Sequence, residues 1–201
     1  SDLKSEKLDK INQQKIYLSE SEDFILITPV MTYGEQEIPV LSKRNLYTKT
    51  TEGEMYSAER NSSKETDFIK LIQKLHSNFE TIPYTDFFYL HKKEFLEKGW
   101  FLEAFEAWKA NDIEILGFKN LKDNLWNPNK INVSIQVKSN IDWFDIHTEV
   151  QFGEQIVDLK SLQKAVYNKA HFIELGDGTR GLLPEEWLAK FANYFRSSEI
   201  D

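Results

Sequence analysis

Residues 175–188 have the sequence LGDGTRGLLPEEWL, and this stretch decides the fold of the second half of the chain. Residues 176–178, Gly-Asp-Gly, readily accept positive backbone φ angles, so they predict the turn of a β-hairpin. Pro184 follows where a helix begins, a position at which its missing N–H costs nothing. Glu185 and Glu186 supply the negative charge that the first turn of a helix favours. The stretch therefore predicts a hairpin followed directly by a helix.

The residues before this stretch predict two strands and a helix. Apolar and polar residues alternate over 131–137 and again over 143–150, as they do in half-buried strands. Asp158 is placed to cap a helix that extends to about residue 168. Residues 127–201 are thus predicted to form one module, with the order strand, strand, helix, hairpin, helix.

The first half of the chain also mixes strands and helices. Strands are predicted at 15–18, 24–33 and 45–56. A helix is predicted at 64–77, where Ser62 and Glu65 have the spacing of a capping box. Helical periodicity continues over 91–110, with a break expected at Gly99, because glycine is unfavourable inside a helix.

A turn-rich joint separates the two halves. Residues 124–130 contain Pro128 and three asparagines, a composition that is typical of a connection between modules. We therefore predict a lead at 1–12 that is disordered or a short helix, a first module at 13–126 and a second at 127–201. The predicted fold class is α+β, as two small modules of antiparallel strands with packed helices.

Two short segments resemble each other. Residues 33–38, YGEQEI, and residues 152–156, FGEQI, both place an aromatic residue before Gly-Glu-Gln at the end of a predicted strand. Either a β-hairpin has been duplicated or two turns share a composition by chance, and the sequence leaves both readings open.

Composition excludes several classes of protein. The chain has no cysteine, so disulfides and thiolate metal sites are excluded, and a reducing cytoplasm is the expected location. No apolar run is long enough for a transmembrane helix, and residues 1–10 are too polar for a signal peptide. The net charge of −8 disfavours tight binding to nucleic acid, because phosphate neutralisation supplies most of that affinity. The chain has no initiator methionine, and we expect it to be a fragment of a longer polypeptide.

The order DWFD at 142–145, FG at 152–153 and LGDGTRGLLPEEWL at 175–188 resembles a known protein family. The resemblance is to the helicase-associated region that precedes the motor of bacterial Swi/Snf-type helicases. It is specific over about residues 142–191 and continues weakly upstream. It implies a non-catalytic accessory segment of an ATP-dependent helicase or DNA translocase, which regulates the motor or docks a substrate or partner.

The sequence itself offers no site for ATP. No Gly-Lys-Ser or Gly-Lys-Thr triplet forms a phosphate-binding loop, and no Asp-Glu-x-His box supplies a magnesium ligand. We therefore predict no catalytic residue, no cofactor and no metal in this segment, and expect ATP and magnesium only in the motor that the resemblance implies downstream. The expected partners are the motor domains of the same polypeptide, duplex DNA bound weakly through the parent, and other proteins. A monomer with no membrane contact is expected.

Four residues are predicted to be either a partner surface or anchors of the core. Trp143 and Phe144 are adjacent on a predicted strand, so their rings point to opposite faces, and only one of them faces the core. Arg180 lies on an arm of the hairpin, and Trp187 lies in the first turn of the following helix. The alternative function, from another class, is a free-standing acidic module for protein–protein interaction.

Overall fold

The computed structural model describes residues 12–140 and 143–197. It confirms the α+β class, with sheets of mostly antiparallel strands and several helices. The chain divides into two compact units. Unit 1 comprises residues 1–97 and 103–122, and unit 2 comprises residues 98–102 and 123–201. The predicted lead at 1–12 lies outside the described residues except for Asn12.

The main sheet of unit 1 is built around its second strand. Its members are β1 (Gln14–Ser21), β2 (Phe24–Tyr33), β3 (Gln36–Pro39), β6 (Phe88–His91) and β7 (Glu114–Leu116). Strand β2 pairs antiparallel with β1 along one edge and with β3 and β6 along the other. Strand β7 pairs with β1 in parallel, so this sheet is not wholly antiparallel as predicted. Strand β6 is antiparallel to β2 and so runs in the direction of β1, and a helical connection from β6 brings the chain back beside β1 in that same direction.

A separate hairpin follows β3. It consists of β4 (Leu46–Lys49) and β5 (Met55–Ala58), and its turn contains Gly53 at a φ of 88°. This confirms the β-like stretch predicted at 45–56. The side chain of Gln36 binds the backbone of Tyr47 from both ends of its amide, donating to the carbonyl and accepting from the N–H. The amide thus pairs with β4 as a neighbouring strand would.

Helix α1 (Ser62–Gln73) is shorter than predicted and has a different cap. The predicted capping box of Ser62 and Glu65 is wrong. Asn61 is the N-cap, and its side chain accepts from the backbone N–H of Lys64 at 3.1 Å. The carboxylate of Glu65 is engaged elsewhere, with a side chain that precedes the helix and with one in β2.

The predicted helix at 91–110 is only partly correct. Residues up to His91 pair with β2 as strand β6, and a short π-helical turn spans Lys93–Glu97. Gly99 has a φ of 76°, which confirms the predicted break. Helix α2 then spans Trp100–Ala110. Strand β7 follows this helix.

The core of unit 1 combines aliphatic side chains of the sheet with a group of aromatic rings. Ile16 and Leu18 of β1 and Ile25 and Ile27 of β2 are buried, as alternation along two paired strands requires. Rings from the π-helical turn, α2 and the following short helix contact one another at centroid distances of 4.9–6.3 Å. These rings belong to Phe95, Phe105, Trp108 and Phe118.

Unit 2 has the predicted order of strand, strand, helix, hairpin and helix, with one short strand added. Its elements are β8 (Ile131–Asn140), β9 (Trp143–Phe152), β10 (Gln155–Val157), α3 (Leu159–Tyr167), β11 (Phe172–Glu174), β12 (Arg180–Leu182) and α4 (Glu185–Ser197). The sheet order is β10-β9-β8, and β11 pairs with β12 in a ribbon of its own. Asp158 caps α3 by accepting from Ser161 at 3.1 Å, as predicted.

The core of unit 2 joins its sheet to its helices and hairpin. The buried side chains are Val150, Phe152, Val157, Leu162, Val166, Ile173, Leu175 and Leu183. Gly181 allows the ribbon to approach this core closely, because a Cβ at that position would lie 2.6 Å from the ring of Phe152. The glycine is therefore required by packing, although the sequence suggested only a hairpin arm.

The two Gly-Glu turns have the same geometry. Tyr33 pairs with Gln36, and Phe152 pairs with Gln155, so each turn has two central residues. Gly34 and Gly153 have φ angles of 63° and 60°. Glycine at the first central position is the signature of a type II′ turn, which matches the twist of the flanking strands. The shared requirement of this turn explains the similar sequences without deciding between duplication and chance.

Within the described part of the chain, none of the helices has the length and apolar character needed to cross a membrane.

Candidate functional site

Arg180 is the predicted site residue whose surroundings the structure defines best. Its guanidinium carbon lies 4.6 Å from the centroid of the Phe172 ring, in a cation–π arrangement. The Phe172 ring is in turn met edge-on by Trp126, at a centroid distance of 5.9 Å and an interplanar angle of 84°. The three side chains are each partly exposed. They form a row that we call the Arg180 row, defined by Trp126, Arg180 and Phe172.

The backbone fixes Arg180 from both sides. On one side Arg180 pairs with Glu174 of β11. On the other side its N–H donates to the carbonyl of Leu125 at 2.7 Å, and its carbonyl accepts from Asn127 at 2.8 Å. The residue therefore lies in the middle of three short extended segments, and its position depends little on its own side chain.

Trp187 lies in different surroundings. It is partly buried in the first turn of α4 and packs against the core of unit 2. The residue beside it, Leu188, packs against the same core. This position suits an anchor of the helix more than a free contact surface.

Trp143 and Phe144 begin strand β9, where they pair with Asn140 and Ser139. Their side chains lie outside the part of the structure that is described, so their prediction as partner or core residues stays a prediction.

No pattern in the sequence indicated the partners of Arg180. Trp126 belongs to the stretch that was interpreted as a joint, and it pairs with Arg180 through an isolated parallel bridge. Phe172 was predicted as part of the hairpin, but its stacking with a residue on the opposite arm depends on the register. Only the pairing of Phe172 with Leu182 sets Arg180 diagonally across from the ring.

A second polar cluster, in unit 1, was also missed. The guanidinium of Arg60 binds the carboxylate of Glu65 through two hydrogen bonds, at 2.9 and 2.7 Å. The hydroxyl of Tyr33 donates to the same carboxylate at 2.5 Å and accepts from the N–H of Asn61 at 2.9 Å. We call these residues the Arg60 cluster. Burial, with the hydrogen bond to Glu65, raises the pKa of Tyr33 to about 12.

Arg60 also holds the loop between β3 and β4. It donates to the carbonyls of Ser42 at 2.7 Å, Arg44 at 3.0 Å and Val40 at 3.1 Å. The hydrogen bond to Glu65 raises the pKa of Arg60 above its ordinary value. The Nε, Nη1 and Nη2 atoms of this guanidinium all donate to acceptors inside the protein, so we interpret the cluster as structural.

A third group lies on the outer face of the unit 1 sheet. Glu37 accepts from Lys15 at 2.9 Å and from Tyr17 at 2.6 Å. The hydroxyl of Tyr17, followed by the ammonium of Lys15, holds the pKa of Glu37 below its usual range. Lys15 also lies 3.9 Å from the carboxylate of Glu114, so its charge is shared between two carboxylates inside the protein.

No group of three or more His, Asp or Glu side chains is placed to hold a metal ion, as far as the described residues show. His147, a histidine on β9, is exposed. The two charged clusters with internal partners stabilise the fold, whereas the Arg180 row presents a cation to solvent. Of the three groups, the Arg180 row is therefore the candidate for contact with another molecule.

Comparison of the chain with known protein families, with curated proteins and with solved structures gives no match.

Proposed function

We propose that this chain is a non-catalytic accessory segment of a bacterial Swi/Snf-type ATP-dependent helicase or translocase. The single observation that carries the proposal is the sequence LGDGTRGLLPEEWL at residues 175–188, which resembles the region preceding the motor in that family. The same residues form the β11–β12 ribbon and the start of α4, together with part of the core of unit 2. A stretch with this structural role can keep its sequence for reasons of folding in every member of a family.

In this proposal the segment acts by contacting its own motor and does not itself catalyse a reaction. The sequence contains no phosphate-binding loop, and the net charge of −8 opposes direct wrapping of a polyanion. We propose that it is cytoplasmic and monomeric, and that it regulates the motor or docks a substrate or partner. Isolated residues 1–201 are expected to bind duplex DNA no tighter than the non-specific range of about 10⁻⁴–10⁻⁶ M.

The alternative proposal is a free-standing acidic module for protein–protein interaction. The observation that favours it is the net charge of −8 together with exposed aromatic side chains in unit 1, such as Tyr47, Tyr56 and Tyr89. A basic partner with apolar contacts would fit such a surface.

The experiment that separates the two begins with the polypeptide to which residues 1–201 belong. A phosphate-binding loop and DNA-stimulated ATP hydrolysis in that polypeptide are expected under the first proposal. The ATPase rate is then measured for the intact polypeptide, for a variant without residues 1–201, and for that variant with the segment added as a separate protein.

A change in the DNA-stimulated rate on deletion, reversed by adding the segment back, would support the accessory role. The segment alone is expected to show no ATP hydrolysis at millimolar nucleotide, which serves as the negative control. Absence of a motor from the polypeptide would refute the first proposal and leave the interaction module. If the deletion changed neither the ATPase rate of the motor nor its translocation, the regulatory role would be refuted.

A further inference from the structure

The Arg180 row contains a guanidinium that packs on a ring and has no ion-pair partner among the described residues. The guanidinium of Arg180 stacks on Phe172 at 4.6 Å, and Trp126 holds the Phe172 ring from the side. A cation–π contact uses no hydrogen bond, and within the described part of the chain no group accepts one from the Arg180 side chain. The arrangement thus restricts the side chain without satisfying its hydrogen bonds.

Among the described residues, no carboxylate lies within 4.0 Å of Arg180. The ion pairs there that involve an arginine belong to Arg44 and Arg60. Glu174 is directly opposite Arg180 in the ribbon but forms no ion pair with it. Arg60 shows what the same group does when it has an internal partner, because it binds Glu65 through a two-point contact.

We propose that the Arg180 row recognises a carboxylate group presented by a protein partner. A planar guanidinium binds a carboxylate through two parallel hydrogen bonds, and a guanidinium already held against a ring loses less freedom when it does so. Leu125, whose side chain is 49% exposed, lies next to Trp126 in the chain and offers an apolar contact beside the charge. Arginine and tryptophan are the side chains that most often dominate the energy of protein interfaces.

A carboxylate fits this site better than the phosphates of a nucleic acid. The cross-strand neighbour Glu174 is exposed, and the chain as a whole carries a charge of −8. A polyanion would meet this charge over its whole length, whereas one carboxylate flanked by apolar groups would meet a single arginine. The proposal does not depend on the helicase assignment, since it concerns the chemistry of one site.

The test uses the side-chain Nε–H resonances of the arginines in residues 1–201, followed by NMR during titration. The chain has Arg44, Arg60, Arg180 and Arg196, and each resonance is assigned by substitution. The probes are a capped leucyl-glutamyl-leucine peptide, the same peptide with glutamine in place of glutamate, inorganic phosphate and a short duplex DNA. We expect the glutamate peptide to shift the Arg180 resonance, with an affinity about tenfold or more above that of the glutamine peptide.

Variants identify the group responsible. Arg180→Gln is expected to lower the affinity for the glutamate peptide about tenfold or more, and Arg180→Lys to lower it as well, because lysine keeps the charge but not the planar fork. Arg44→Gln is the matched control, since Arg44 is 65% exposed and only loosely paired with Asp86 at 3.7 Å, and it should leave the affinity unchanged.

Three results would overturn the proposal. These are equal affinity for the glutamate and glutamine peptides, equal affinity in the Arg180 and Arg44 variants, and a stronger response of Arg180 to phosphate or DNA. The last would instead identify a phosphate site. If Arg180→Gln disturbs folding, the Arg180 resonance of the unaltered protein still decides between these results.

Discussion

Replacing Arg60 by alanine should destabilise unit 1 by about 3 kcal/mol. The side chain of Arg60 is 17% exposed and that of Glu65 only 9%, so the substitution leaves a buried carboxylate without its cation. Breaking a buried ion pair from one side costs about 3–5 kcal/mol, and the partial exposure of Arg60 places the value at the lower end. The carbonyls of Ser42 and Val40 lose a donor as well.

The assay is urea denaturation, with hydrogen exchange of the amides in α1 used to identify the unfolding of unit 1. For a slope of about 2 kcal/mol per molar, the midpoint should fall by about 1.5 M. Arg44→Ala is the control. Its partner Asp86 is 3.7 Å away and its side chain is 65% exposed, so this change should cost less than about 0.5 kcal/mol.

The reasoning also predicts a partial rescue. Glu65→Gln in the Arg60→Ala background removes the unpaired charge but keeps an acceptor for Tyr33. The double variant should therefore be more stable than Arg60→Ala alone. The account would be refuted if Arg60→Ala and Arg44→Ala differed by less than about 0.5 kcal/mol, or if the double variant were the less stable.

Three further predictions concern a glycine, a tyrosine and a tryptophan. Gly117→Ala should lower the free energy of unfolding, measured by denaturation, by at least about 1 kcal/mol more than Gly53→Ala. Both glycines have a φ of 88°, but of the two only Gly117 is placed where a Cβ would collide with backbone, and equal losses would contradict this. The raised pKa of Tyr33 contributes stability that is complete below a pH of about 10 and is lost as the pH rises toward about 12. Tyr33→Phe should therefore flatten the dependence of the free energy of unfolding on pH in this range, and an unchanged dependence would argue against this contribution. Trp187→Ala should destabilise unit 2 by about 2–3 kcal/mol, less than the loss of a fully buried ring, whereas Tyr167→Ala, at an 83% exposed position, should cost under about 0.5 kcal/mol. Similar losses of stability in the two variants would refute the core role of Trp187.

Local chemistry in the sequence predicted the local features of the fold. Alternation located the strands β8 and β9, and the Gly-Asp-Gly turn located the ribbon of unit 2. Asp158 caps its helix as expected, because a cap depends only on residues a few positions apart. Gly99 interrupts the helical structure for an equally local reason, because its positive φ does not fit a helix.

Features that depend on distant residues were not predicted. Glu65 has the spacing of a capping box, yet its carboxylate binds Tyr33, 32 positions earlier in the chain. The predicted helix began at His91, but the pairing with β2 makes His91 the last residue of a strand, and the helix itself begins only at Trp100. The partners of Arg180 were missed for the same reason, since a single bridge at Trp126 leaves no period in the sequence.

The membership of residues 98–102 in unit 2 limits how this protein can be dissected. A fragment that starts at Asp123 would be contiguous, but it would lack Gly99, whose missing side chain leaves room for Leu182; a Cβ there would lie 2.5 Å from the leucine methyl group. A fragment that ends at Lys122 would carry residues 98–102 without the unit to which they belong. Each unit is therefore encoded discontinuously, and expression of either half by a single cut would expose apolar surface that the intact chain covers.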